Sequence, residues 1–167
     1  MKITKIVAYA ATILLPIGMA MAAAGTPPDV KEGLWSIHTQ SIDNPGNVKT
    51  ESTSTICRNH EYDHYTMGIA KSVKGCTVDN ENYEGNKYTI DMKCTVAGTT
   101  IESKGTVTFT GDTSAHSESH STYTPAMGGM TDTTMIQDQK YIGACPADMQ
   151  PGDMKSANGN VVHLWKH

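Results

Sequence analysis

From Gly33 onward, apolar and polar residues alternate with a period of two through one stretch after another, and turn residues break the stretches apart. Side chains on a strand point alternately to its two faces, so this pattern predicts half-buried β-strands and little helix. Residues 33–42 place Trp35 and Ile37 on one face and Ser36, His38 and Gln40 on the other. Asn44-Pro45-Gly46-Asn47 is a turn signal, and Val48 to Cys57 reads as a second, polar strand. A turn between Asn80 and Asn86 precedes Lys87 to Val96, where Tyr88, Ile90, Met92 and Cys94 share a face. Beyond Gly98, Ile101, Val107 and Phe109 point together. Gly111-Asp112 fits a two-residue hairpin that returns through Thr113 to Tyr123. After Pro125 to Gly129, the stretch Thr131 to Ile142 turns Met135 and Tyr141 inward. About seven strands predict a mainly β domain, an antiparallel meander forming a sheet or open barrel.

Two stretches depart from the alternation. Tyr62, Tyr65 and Ile69 stand at helical spacing within residues 58–72 and predict one or two helical turns. Residues 145–160 carry Pro146, Pro151, Gly152 and Gly159 and read as a surface loop before a short final strand, Val161 to Trp165.

The first 24 residues have the layout of a secretory signal peptide. Lys2 and Lys5 form the basic start, Ile6 to Ile17 the apolar stretch, and Ala20-Met21-Ala22 a cleavage site with Ala23 and Ala24 behind it. Pro16 and Gly18 interrupt the apolar run too early for a membrane span, and no second run of about 18 apolar residues exists. Cleavage removes two lysines and no acid, which takes the formal charge from −4 to −6. An acidic chain without a basic stripe does not fit nucleic acid or an anionic membrane. The expectation is one periplasmic or secreted domain over residues 25–167.

Such a domain has a modest core, because the discarded segment holds a large share of the 38% hydrophobic residues. Cys57, Cys76, Cys94 and Cys145, an even number in an exported chain, suit disulfides. Of the three possible pairings, Cys57–Cys76 with Cys94–Cys145 is favoured, since the first closes a short excursion between two strands. No C-x-x-C spacing points to redox chemistry.

The ordered set of local patterns resembles the DUF3617 family, small exported bacterial proteins of unknown function. Gly33-Leu34-Trp35 opens the first strand, Cys57 ends the second, and Cys76-Thr77-Val78 starts the next. Tyr88-Thr89-Ile90-Asp91-Met92-Lys93-Cys94 is similar to the family's cysteine-terminated strand, and Gly105 to Asp112 to its strand and turn. Tyr141-Ile142-Gly143-Ala144-Cys145-Pro146 matches its last cysteine, Pro151 to Lys155 its tail, and Ala126 to Met130 its Met- and Gly-rich loop. The resemblance implies a periplasmic β domain with two disulfides and transfers no catalytic residue.

Several constellations suggest chemistry. His60-Glu61-Tyr62-Asp63-His64 satisfies H-E-x-x-H, in which two histidines one helical turn apart hold zinc and the glutamate activates water. The extended motif fails at Met67 and Ala70, Gly68 is expected to cut the helix short, and a third protein ligand is missing. His116, Glu118 and His120 project from one strand face and offer a Zn²⁺ or Cu²⁺ site, whereas the bland reading is a solvated polar strand. Met127 and Met130 offer soft thioethers on a loop, while Met92 and Met135 are expected in the core. His38, His163 and His167 bring the exported histidines to seven, of which His163 and His167 read as exposed. No G-x-S-x-G elbow, phosphate loop or assignable carboxylate pair appears. The leading expectation is therefore a non-enzymatic binding or envelope-associated module without a cofactor, partnered by a small ligand or an envelope protein. A Zn- or Cu-binding protein is the alternative, and a zinc hydrolase at His60, Glu61 and His64 is more distant.

Overall fold

The structure, a computed structural model, describes residues 27–165. The export segment 1–24 and His167 lie outside the described residues. Nine strands form one sheet: β1 (Gly33–Asn44), β2 (Val48–Arg58), β3 (Cys76–Glu84), β4 (Lys87–Val96), β5 (Thr99–Thr110), β6 (Ser114–Met127), β7 (Met130–Gly143), β8 (Asp153–Ser156) and β9 (Val161–His163). Their order is β3-β4-β5-β6-β7-β1-β2-β8-β9, with every pairing antiparallel. The order does not return on itself, so the sheet is open, and the helix α1 (His60–Ser72) links β2 to β3.

The predicted inward residues do fall on one face. Trp35 pairs across to Ile56 and Tyr141, Ala115 to Phe109 and Gln139, and Tyr88 to Val107. Directly opposed residues share a face, so one side of the sheet carries these residues and the other His38, Asp138, His116 and Thr108. Trp35 is fully buried and forms a core with Val30, Ile56 and Tyr62, joined by partly buried Phe109, Tyr141, Met154 and Trp165. Its indole Nε1 donates to the Lys31 carbonyl at 2.8 Å, and its ring meets Tyr141 edge-on at 6.2 Å.

Several expectations need correction. The strand count is nine because residues 76–84 form β3 and because the presumed loop 145–160 contains β8, whose backbone pairs with β2 over only three positions. So short a strand shows no readable alternation. The hairpin at Gly111-Asp112 has a three-residue loop, because Thr110 pairs with Ser114. Asn80 to Glu84 continue β3, which leaves Gly85 and Asn86 as the turn. Met135 lies on the inward face but is 38% exposed, since α1 does not extend over that part of the sheet.

The helical excursion is also longer than one or two turns: α1 has 13 residues and passes through Gly68. A glycine inside an exposed helix costs about 1 kcal/mol and does not by itself end it. The ends are well defined. The Asn59 side chain accepts from the Tyr62 amide at 2.9 Å, Glu61 and Asp63 occupy the first turn, and Lys71 the last, complementing the helix dipole.

The favoured disulfide pairing is wrong in both members. The bridges are Cys57–Cys145 and Cys76–Cys94. Cys76 and Cys94 stand directly opposite on β3 and β4. The reason is α1: it carries the chain from β2, seventh in the strand order, to β3 at the first position, and so separates Cys57 from Cys76. The chain after β7 returns beside β1, where Leu34 pairs with both Cys57 and Gly143, and this brings Cys145 to Cys57.

Gly33 explains the start of the Gly-Leu-Trp motif. Its φ is +138°, and a Cβ there would stand 2.4 Å from the Gly143 carbonyl oxygen and 2.8 Å from the Tyr141 ring. Gly33→Ala is therefore expected to cost about 2 kcal/mol, measured as a lower denaturation midpoint. The same change at Gly68, where an added Cβ meets nothing within 4 Å, serves as the control and should not destabilise.

Candidate ligand pocket between the helix and the sheet

The side of α1 carrying Asp63, Thr66 and Met67 faces the inner side of the sheet across a cavity of about 160 Å³. The sheet contributes Tyr88 from β4, Val107 and Phe109 from β5, Ala115 from β6 and Gln139 from β7. Arg58, the last residue of β2, forms part of the wall, and residues Pro27 to Val30 close one side. The chain's only arginine and only phenylalanine thus line the same space.

Arg58 is the polar centre. Its Nε donates to Asp63 Oδ1 at 2.7 Å, its Nη1 donates to Gln139 Oε1 at 3.0 Å, and its guanidinium lies 4.9 Å from the Trp35 ring centroid. The Arg58 and Asp63 side chains are 16% and 9% exposed. Burial raises the Asp63 carboxyl above the ordinary aspartate value, and the hydrogen bond and charge of Arg58 only partly offset it. Along the wall, the Tyr88 hydroxyl donates to Glu81 at 2.9 Å. Burial first, and then that carboxylate, push the Tyr88 phenol up. Glu81 also pairs with Lys71, which fastens α1 to β3 and holds Glu81 below the usual carboxylate range.

The H-E-x-x-H histidines have a structural task. His60 and His64 both turn toward the segment preceding β1. His60 Nε2 donates to the Val30 carbonyl at 3.0 Å, and its backbone amide donates to Glu32 at 3.0 Å. His64 Nε2 meets Asp29 Oδ1 at 3.2 Å. The Lys31 amide adds a bond to the Asp112 carbonyl in the β5–β6 turn. These contacts tie residues 29–32 along the helix, at the rim of the cavity, while Glu61 points to solvent.

The second predicted cluster is regrouped by the sheet. His116 Nδ1 and Nε2 meet Asp138 at 2.7 Å and Glu118 at 3.2 Å, whereas His120 pairs with the Thr134 hydroxyl at 3.1 Å. Asp138 joins because β7 sets it opposite His116. Met127 and Met130 face each other across the Gly128-Gly129 turn. His163 is exposed yet bonded to buried Asp153. Among the described residues, no three His, Cys, Asp or Glu side chains are placed to hold a metal ion.

Asp138 first, and then Glu118, raise the His116 pKa by bonding to its charged ring. The stabilisation from these contacts is complete below about pH 6.5, the unfolded histidine value, and is lost as pH rises through the raised folded value. Asp138→Asn is expected to lower the His116 midpoint, read from its ring protons by NMR.

Arg58, Asp63 and Gln139 were not among the residues singled out by sequence. One signal was present: a single arginine, placed directly after a cysteine, in a chain that otherwise uses lysine. Arginine suits a partly buried pair because its fixed fork bonds several acceptors at once.

Fold and pocket together define a small β-sheet protein, stapled by two disulfides, whose only helix among the described residues covers a cavity on the inner face. Residues 30–145 match the family described as protein of unknown function (DUF3617), and the chain belongs to that family. No curated protein matches it. No helix among the described residues is long and apolar enough to cross a membrane.

Proposed function

We propose that this protein is an exported, non-enzymatic binding module that takes a small ligand in the pocket between α1 and the sheet. The observation that carries this reading is the meeting of a desolvated Arg58–Asp63 pair with Phe109, Val107 and Met67 around one cavity. Concave, mostly apolar sites with a few fixed polar groups are the usual form of small-molecule pockets. The layout of residues 1–24 and the two disulfides support export to an oxidising compartment. His60 and His64, the residues a zinc reading needs, already bond to the segment before β1.

The test is to purify the mature protein untagged from the periplasm and analyse it for co-purifying small molecules, beside Ala115→Leu. Ala115 is 5% exposed on the cavity wall, and three added carbons there reduce the space. A compound held in a fixed ratio by the natural protein and lost from the variant is the expected result. Equal retention by both would move the site elsewhere. A Zn²⁺ or Cu²⁺ titration of the same samples separates the metal alternative, which requires one tight site abolished by changing His60 and His64 together or His116 and His120 together.

A further inference from the structure

Building on the pocket reading, we infer that the occupant is an uncharged apolar molecule of about benzene's size with one hydroxyl or carbonyl group held by Arg58. The cavity of about 160 Å³ sets the size, since an apolar cavity of about 150 Å³ holds a benzene-sized molecule. Phe109, Val107 and Met67 supply the apolar wall.

The polar group follows from counting donors. A guanidinium has five N–H groups. Among the described residues, Arg58 directs Nε to Asp63 and Nη1 to Gln139. No buried side-chain N or O among the described residues lacks a partner, so the remaining N–H groups of Arg58 are open to solvent, and an acceptor entering the cavity that Arg58 lines takes the place of water on them. The charge follows from Asp63. A ligand carboxylate would bring a second anion to a guanidinium already 2.7 Å from one, where burial weakens screening. A cation would stand against Arg58. A neutral acceptor meets neither cost, and a hydroxyl has a proton to donate to Asp63 as well.

The experiment compares phenol, toluene and benzoate on the mature protein with ¹³C-labelled methionine and alanine methyl groups, following Met67 and Ala115 by NMR titration. Phenol is expected to shift both signals and to bind about tenfold or more tightly than toluene or benzoate, because toluene leaves the arginine donors unpaired. In Arg58→Met/Asp63→Leu, which removes both charges together, the preference should reverse in favour of toluene. Toluene binding as well as phenol to the natural protein would overturn the role of Arg58 while the pocket stands. Benzoate binding best would overturn the uncharged class. No shift at Met67 or Ala115 with any of the three would overturn the pocket reading itself.

Discussion

Trp35→Ala is expected to remove most of the stability of the fold. Trp35 is fully buried, and its neighbours come from segments far apart in the chain: Val30 before β1, Ile56 on β2, Tyr62 on α1 and Tyr141 on β7. Truncating a buried tryptophan costs about 3–5 kcal/mol, through lost transfer energy and the cavity left behind. Here the indole bond to the Lys31 carbonyl and the contact with Arg58 are lost as well. Domains of this size hold only about 5–15 kcal/mol in total, and this core has few members to share the loss. Urea denaturation followed by circular dichroism should show a midpoint far below that of the natural protein, or no folded baseline. Ile142→Ala, at a residue 50% exposed, is the comparison and should change stability by about 1 kcal/mol or less. Equal effects at the two positions would mean that Trp35 is not the centre of the core.

The two disulfides should contribute unequally. Cys57–Cys145 spans a separation of 88 residues and Cys76–Cys94 one of 18. Restriction of the unfolded chain grows with loop length, to about 4.6 kcal/mol for the long loop and about 3.2 for the short one. Cys57→Ala/Cys145→Ala is therefore expected to be the more damaging double, the more so because Cys57 is fully buried. Denaturant midpoints of the two doubles measure the difference, and mass mapping of a non-reducing digest reads the pairing directly. Recovery of a Cys57–Cys76 peptide would contradict the path of α1 across the sheet.

That pairing marks how far local sequence could be followed. The period of two placed Trp35 and Ile37, Tyr88 to Cys94, and Ile101, Val107 and Phe109 on the correct face, because alternation is a property of each strand alone. The spacing of Tyr62, Tyr65 and Ile69 located the helix, and Trp165 packs against both tyrosines, with ring centroids 6.0 and 5.9 Å away. The family was legible too, since its motifs are ordered along the chain.

The H-E-x-x-H spacing puts two histidines on one side of a helix, and α1 carries them there. What that side faced was not in the spacing. The segment 29–32 lies against it and takes both rings as hydrogen-bond partners. Likewise, His116 and Glu118 were recognised as neighbours on a strand, but Asp138, 22 residues further on, is His116's shorter contact.

By itself, the sequence determined the longer alternating strands, their inward faces, the position of the helix and an even set of cysteines for bridging. Each of these depends on residues within a turn or a strand of one another, where geometry repeats every two or 3.6 residues. Only the tertiary structure decided the strand order, the cysteine partners, the hidden β8 and the pocket around Arg58. Those depend on where α1 delivers the chain after β2, and on the burial that a small core gains when β7 returns to β1. Contacts between residues so far apart in sequence leave no local period to read.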